Sequence, residues 1–444
     1  MDYHQRSEVA ESADPLQPET DLTSALQAEL VSLRSRVKEL EAENAKLSAR
    51  VSNCRCQNAG IAKKKLKERE PGCNTRIMRQ PLKRYVALKV LYFGQRFYGF
   101  ASEAQMDPTV ESEIFKALEK ARLIFGDKKD LQYSRCGRTD KGVSSVGQVI
   151  ALFLRSNCKE AGVRNGYTVK NIPEELYEGE IDYVRLLNRV LPQDIRVMGW
   201  SPAPIDFSAR FSCLRRVYKY FFWREKLNIL AMETAAKKFV GQHDFRNFCK
   251  MDAANVHNYR RHIFLFEILP CNERFGRDEL WVIRIVGSAF LWHQVRCMVA
   301  VLFLIGQGLE SLDVIDSLLD IARTPRKPQY PMAPEIPLVL QSCEFEDLKF
   351  MCSSDAKQAL HAHLEKECRT YKLHAAIIHE ALLNCSLIEN DDRPFSNRKK
   401  KKEPSHVPLI SRPTEPSYEE RRIKWNSGVG SQKKFMLEST TDED

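Results

Sequence analysis

From residue 85 to residue 343 the hydrophobic pattern keeps switching between the period of a strand and the period of a helix. That switching confines the chain to a mixed fold. Residues 85–92 alternate as a strand does. Asp107-Pro108 then reads as a helix cap with a first-turn proline, and Val110, Ile114, Ala117, Leu118, Ala121 and Phe125 fall on one helical face. Residues 146–154 read as a strand, 181–191 as a helix stopped by Pro192, and 194–200 and 216–223 as strands. The second half repeats the mixture: a helix over 230–240 closed by Gly241, strands over 263–269 and 280–286, an apolar helix over 290–305, a helix over 312–322 and a strand over 338–343. Elements of both kinds intermix in both halves, so the predicted class is α+β or mixed α/β, with no exact internal repeat.

A chain of 444 residues has room for one large or two medium domains plus tails. Residues 1–20 are polar and acidic and are expected to be disordered, with no signal peptide. Over 21–52, Leu26, Leu33, Leu40 and Leu47 recur every seven residues, preceded by Thr23, Leu30, Val37 and Asn44 and followed by Val51. These are the d and a positions of a coiled coil, and Asn44 at an a position favours a parallel, in-register dimer. Glu29 would meet Arg34 of a partner helix, and Arg36 would meet Glu41. The alternative is a single amphipathic helix docked on its own domain. A basic-zipper factor carries its basic region just before the zipper. Here that flank is acidic (Glu8, Glu11, Asp14, Glu19, Asp21) and the Lys63-Lys64-Lys65 cluster lies after it, so that class is excluded.

Residues 53–82 read as a basic linker broken by Pro71-Gly72 and Pro81. A helical extension is expected over 347–390, where Leu360, Leu364, Tyr371, Ala375, Ile378 and Leu382 suit one or two amphipathic helices packed on the core. Residues 391–444 are polar and expected to be mostly disordered. Their run Arg398-Lys399-Lys400-Lys401-Lys402 reads as a nuclear address, an RNA-contacting tail or a solvated charge run.

The net charge of +10 favours an acidic partner, of which nucleic acid is the commonest. The 13 cysteines are odd in number and scattered, with Cys213, Cys297 and Cys343 inside apolar runs; they read as reduced, intracellular thiols rather than a disulfide framework. Cys54 and Cys56 are too close for a zinc ribbon and the histidines are dispersed, so no metal site is expected. The longest apolar run, 297–305, is far short of the roughly 20 residues that span a bilayer. A soluble protein is expected.

The segment richest in chemistry is Ser134-Arg135-Cys136-Gly137-Arg138-Thr139-Asp140-Lys141-Gly142-Val143-Ser144-Ser145. Its glycines have phosphate-loop spacing, but Val143-Ser144 stands where a nucleotide-triphosphate site needs Lys-Ser/Thr. Asp140 has two readings, a turn residue before Lys-Gly or a reacting carboxylate framed by bases. Phe207-Ser208-Ala209-Arg210-Phe211 places an arginine just before a strand, and Arg216-Val217-Tyr218-Lys219-Tyr220 alternates base and aromatic along it. Strand alternation puts Tyr218, Tyr220 and Phe222 on one face and Val217, Lys219 and Phe221 on the other. Tyr218 suits stacking on a nucleobase or a place in the core. Arg296, at the edge of the apolar helix, wants a buried carboxylate partner.

Together these segments resemble the TruA family of tRNA pseudouridine synthases. The matches are Gly137-Arg138-Thr139-Asp140-x-Gly142-Val143, Leu191-Pro192-x-Asp194-Ile195-Arg196-Val197, Phe207-x-Ala209-Arg210-Phe211, Arg216-x-Tyr218-x-Tyr220, Gly241-x-His243-Asp244-Phe245 and Phe290-Leu291-x-x-x-Val295-Arg296, in family order over about residues 83–345. Phe290-Leu291-Trp292-His293-Gln294-Val295-Arg296 resembles the eukaryotic branch that modifies positions 38 and 39 of the anticodon stem-loop. The resemblance implies a mixed, mainly antiparallel sheet with helices packed on it, in two similar halves (83–228 and 229–346) around an RNA cleft. It implies isomerisation of uridine without a cofactor, with tRNA as partner and a homodimer aided by the coiled coil. Nucleus, cytoplasm or both are the expected compartments.

Asp140 would be the catalytic carboxylate, acting at the ribose as nucleophile or base. Tyr218 would stack on the target base, and Arg296 would face Asp140. Burial raises a carboxyl pKa by about 3–5 units and a facing cation lowers it by about 1–3. Arg138 would fill the gap left by the flipped nucleotide. Arg210, Lys219 and the basic linker would hold phosphates. The sequence departs from the family at Tyr98-Gly99-Phe100-Ala101-Ser102, where Gly-Trp-Gln is usual; the expected effect is on RNA contacts and not on the catalytic set.

Overall fold

The computed structural model describes residues 30–31, 33–43, 82–102, 106–125, 128–157, 179–275, 278–346, 348–385 and 406–427. The chain divides into two units, 1–78 and 79–444. In the first, residues 33–43 are helical. Leu30, Leu33, Val37 and Leu40 are 47–58% exposed, so this stretch of the heptad stripe faces outward. Arg36 pairs with Glu39 one turn on, at 2.8 Å. The other heptad residues, the basic linker and the runs 63–67 and 398–402 lie outside the described residues.

The second unit is built on one nine-stranded sheet in the order β4-β1-β3-β9-β5-β8-β7-β6, with β2 paired to β3. The strands are β1 Lys83–Tyr92, β2 Ser134–Arg135, β3 Ser144–Arg155, β4 Ile195–Pro202, β5 Arg215–Trp223, β6 Gly241–Asp244, β7 Arg260–Phe275, β8 Asp278–Gly287 and β9 Leu338–Glu344. All pairings are antiparallel except β3 with β9. The class is therefore α+β with a mixed, mainly antiparallel sheet. At the parallel seam the buried Ser145 hydroxyl donates to Leu340 O at 2.9 Å. Two residues on, a Cβ at Gly147 would sit 2.3 Å from Gln341 O, so only glycine lets β9 approach this closely.

Two hydrophobic cores flank the seam. Val86, Leu88, Ile150, Leu152 and Val197 pack with Ile114 and Leu118 of α1 (Val110–Lys120) and with Val184 and Leu187 of α2 (Tyr183–Asn188). Across the seam, Tyr220, Ile263, Ile283 and Ile285 pack with α3 (Ile229–Ala236), α4 (Gln294–Gly306) and α5 (Val314–Leu319). The sequence boundary at 228/229 follows β5, which hydrogen-bonds to β8 and β9 and so belongs to the second group of strands.

Local chemistry moves several predicted ends. Helix α1 is capped by Thr109, whose hydroxyl accepts from Ser112 N at 3.1 Å while Ser112 Oγ accepts from Thr109 N, also at 3.1 Å. Asp107-Pro108 therefore precedes the cap. Val110, Ile114, Ala117 and Leu118 are buried, but Phe125 lies beyond the helix and is exposed. Helix α4 starts at Gln294, and residues 290–293 form the turn before it. The extension after β9 is one helix, α6, Ser354–Cys385. Leu360 and Leu364 are half-buried, but Tyr371, Ile378 and Leu382 are exposed, so the expected packing on the core covers only its first third.

The tail expectation is corrected over 406–427. This segment docks on the second core. Leu409 is fully buried and its N–H donates to Glu310 Oε1 at 2.7 Å. Gln329 N donates to Pro413 O at 2.9 Å, Lys327 pairs with Glu415 at 3.0 Å, and Tyr418 meets His257 at 2.9 Å. We expect Leu409→Ala to cost about 2–5 kcal/mol of stability and Ile410→Ala, at an exposed neighbour, to cost little. Thermal unfolding of the two variants measures the difference.

Candidate active site

Asp140 sits in the turn that leads into β3. Gly142 N donates to Phe97 O at 3.2 Å, Phe100 N to Thr139 O at 3.1 Å, and Val143 N to Asp140 O at 3.2 Å. Tyr92 and Thr139 share a hydroxyl–hydroxyl hydrogen bond of 2.8 Å inside the first core. The 97–100 segment is thus the wall behind the loop, and the departure at Tyr98-Gly99-Phe100 lies against the backbone of the Asp140 loop. Gly142 has φ +80°, and a Cβ there would meet Glu335 Cγ at 2.8 Å. No other residue turns the chain there at low cost.

The Asp140 carboxylate lies 3.5 Å from His293 Nε2, and Trp292 stands near enough to lower its pKa. Burial pushes its pKa up to about 6. The charge of Arg296, the Trp292 indole and the charge of Lys250 pull it down, while Glu335 pushes it up. Burial therefore outweighs the cations, yet about nine in ten copies are ionised at pH 7. His293 is lowered to about 4 by burial and by Arg296 and Lys250, so it stands neutral beside Asp140. Its backbone is left-handed, φ 61°, which turns the chain between Trp292 and α4. Lys250 stacks on Trp292, 4.1 Å from the ring centre.

Arg296 does not bond Asp140. Its Nη2 donates to Glu335 Oε2 at 2.8 Å and its Nε to Ala333 O at 2.8 Å. It acts on Asp140 through charge, and Glu335 shares that charge. Tyr218 packs edge-on against Phe290 with ring centres 5.0 Å apart. Burial raises its phenol well above the usual range, so it stays protonated. Among the described residues it makes no hydrogen bond with Asp140.

Arg138 is exposed beside Asp140. Arg210 is exposed at the tip of its turn, its guanidinium over Phe211, while Ala209 is buried and donates its N–H to Ser134 Oγ at 3.0 Å. Lys219 alternates to the face opposite Tyr218, in register with Arg284 of β8. The residues that sequence reasoning missed are Trp292, His293, Lys250, Glu335 and Arg216. Trp292, His293 and Arg216 lay unread inside quoted motifs. Buried Arg216 donates to Cys136 O at 3.0 Å, Arg210 O at 2.8 Å and Ser288 O at 2.5 Å, tying the Asp140 loop to the turns that carry Arg210 and Trp292.

A family model described as tRNA pseudouridine synthase matches residues 235–346. The tRNA pseudouridine(38/39) synthase of Bos taurus is 48% identical over 290 residues, which is 64% of this chain and 60% of that protein. The Saccharomyces cerevisiae protein of the same name is 42% identical over 308 residues, 65% of this chain and 66% of that one. The tRNA pseudouridine synthase A of Methanosphaera stadtmanae is 32% identical over 311 residues, 69% of this chain and 98% of its own length. The chain belongs to the tRNA pseudouridine synthase family. It spans only about 60% of the length of its mammalian relatives. The matched family region holds His293, Arg296 and Glu335, while Asp140 and Tyr218 precede it.

For this family member the electrostatics make a direct prediction. Carboxyl-carbon NMR of aspartate-labelled protein is expected to show Asp140 titrating near 6. In Arg296→Gln the midpoint is expected to rise, because a cation that opposes burial is gone. A midpoint near 4 in the unaltered protein would overturn the account.

Proposed function

We propose that this protein isomerises uridine to pseudouridine at positions 38 and 39 of the tRNA anticodon stem-loop, without a cofactor, with Asp140 as the catalytic carboxylate. The observation that carries the reading is the state of Asp140, a half-buried carboxylate on a clamped turn whose pKa of about 6 leaves it ionised at neutral pH. The names printed for the bovine and yeast relatives support the positions.

The reaction breaks the bond from the uracil N1 to the ribose C1′ and makes one from C5, releasing the C5 proton. Asp140 would act at the ribose. The phenol of Tyr218 stays neutral and is no phenolate base, so its part is to hold the freed uracil by a hydrogen bond or supply a proton, beside the stacking its ring offers. Arg138, exposed next to Asp140, is placed to take the space of an everted nucleotide. Arg210 is exposed toward solvent for a phosphate, and Lys219 would meet phosphate only on the far face of the sheet. The two cores beside the β3–β9 seam support two halves flanking the RNA. The exposed Leu30, Leu33, Val37 and Leu40 stripe supports pairing of two chains as a coiled coil. The working compartments are those of tRNA, the nucleus, the cytoplasm or both.

Two outcomes follow. Asp140→Ala abolishes tritium release from tRNA labelled at uridine C5 while tRNA binding persists; retained turnover would sink the catalytic assignment. A pseudouridine map of tRNA from cells lacking the protein loses the modification at positions 38 and 39, and losses confined to other positions would redirect the specificity.

A further inference from the structure

Behind the Asp140 loop, three thiols converge. The Sγ atoms of Cys136, Cys213 and Cys343 all lie within 4.8 Å of one another. They come from distant stretches. Cys136 opens the loop and donates its N–H to Val149 O at 2.9 Å, Cys213 follows the turn that bears Arg210, and Cys343 lies on β9 opposite Arg216 of β5. Cys136 and Cys213 are buried among Ala87, Val149, Ala151 and Ala209, while Cys343 as a residue is half-buried. Apolar surroundings alone would suit three small thiols as packing.

A second observation separates the cluster from packing. The Arg216 guanidinium is buried and bonds only to carbonyl oxygens, with no carboxylate among its hydrogen-bond partners. A buried cation needs opposite charge nearby. The ionisable groups that lie around it include the sulfurs of Cys136, Cys213 and Cys343.

We propose that Cys136, Cys213 and Cys343 form a binding site for one divalent thiophilic cation of the zinc class. The charges close: three thiolates, one guanidinium and one divalent ion sum to zero. Each sulfur forms a bond to the metal and gives up its proton to solvent. Thiolates about 2.3 Å from zinc at tetrahedral angles stand about 3.8 Å apart, so the sulfurs need to close by no more than about an ångström, and water takes the fourth position. The ion would join the Asp140 loop, the Arg210 turn and β9. Its part is structural, and it does not touch the reacting uridine.

The test uses the full chain, reduced and freed of metal, titrated with cadmium(II) and with zinc(II). Cadmium–thiolate absorption, bound-metal stoichiometry and melting temperature are read. The proposal expects saturable binding with a rise in melting temperature. Cys136→Ser, Cys213→Ser and Cys343→Ser should each bind one ion fewer, whereas Cys368→Ser and Cys385→Ser, at exposed positions, bind as the unaltered protein does. Where a buried serine variant fails to fold, half-buried Cys343→Ser carries the test, with circular dichroism confirming its fold. No binding by the unaltered protein, or undiminished binding by a folded Cys343→Ser, overturns the site and leaves the three thiols as packing.

Discussion

The site hangs on the short parallel contact between β3 and β9. Only Ser144 with Val339 and Ser145 with Leu340 are in register there. Yet this seam joins the two cores and sets the distances across the site. Asp140 precedes β3, Glu335 precedes β9, and Tyr218 lies on β5, the next strand over. Neighbouring strands stand about 4.8 Å apart, so fixing their register fixes the loops at their ends. The Ser145 hydroxyl and the bare backbone at Gly147 hold that spacing from the inside. Arg216 holds it from behind by gathering three carbonyls, those of Cys136, Arg210 and Ser288.

Electrostatics at Asp140 are a balance rather than a pairing. A bidentate arginine on this carboxylate would keep it ionised through the acid range and blunt its reactivity. Instead Arg296 is tied to Glu335, which dilutes its effect, and burial keeps the carboxyl at about 6. His293, the nearest ionisable neighbour, is neutral for the same two reasons, burial and Arg296. The contact between them is therefore a long polar one, not an ion pair. Glu335 also packs on Gly142, so one side chain joins the charge balance to the shape of the loop.

Amphipathic patterning located the helices but not their cover. The apolar positions of α6 were legible, yet beyond its first third they face outward. A helical period reports that a face exists and says nothing of what meets it. The tail shows the reverse failure. Leu409 and Tyr418 stand alone among prolines and charges, without any period, and still one seats in the core and the other on His257. Isolated anchors of an extended segment have no local signature.

The sequence by itself determined most of the strand and helix order, the class and the family, and it singled out Asp140, because alternation and compact motifs are properties of neighbouring residues. It also placed Arg210 just before a strand and Tyr218 and Lys219 on opposite faces of that strand, since strand alternation is local. Only the tertiary structure decided what those residues meet. Glu335 taking Arg296, His293 and Trp292 reaching Asp140, Thr109 rather than Asp107 capping α1, and three scattered cysteines meeting at one point all depend on contacts between segments far apart in the chain. Such contacts are set by register, burial and shared charge across the sheet, and none of these is written in the spacing of residues along a line.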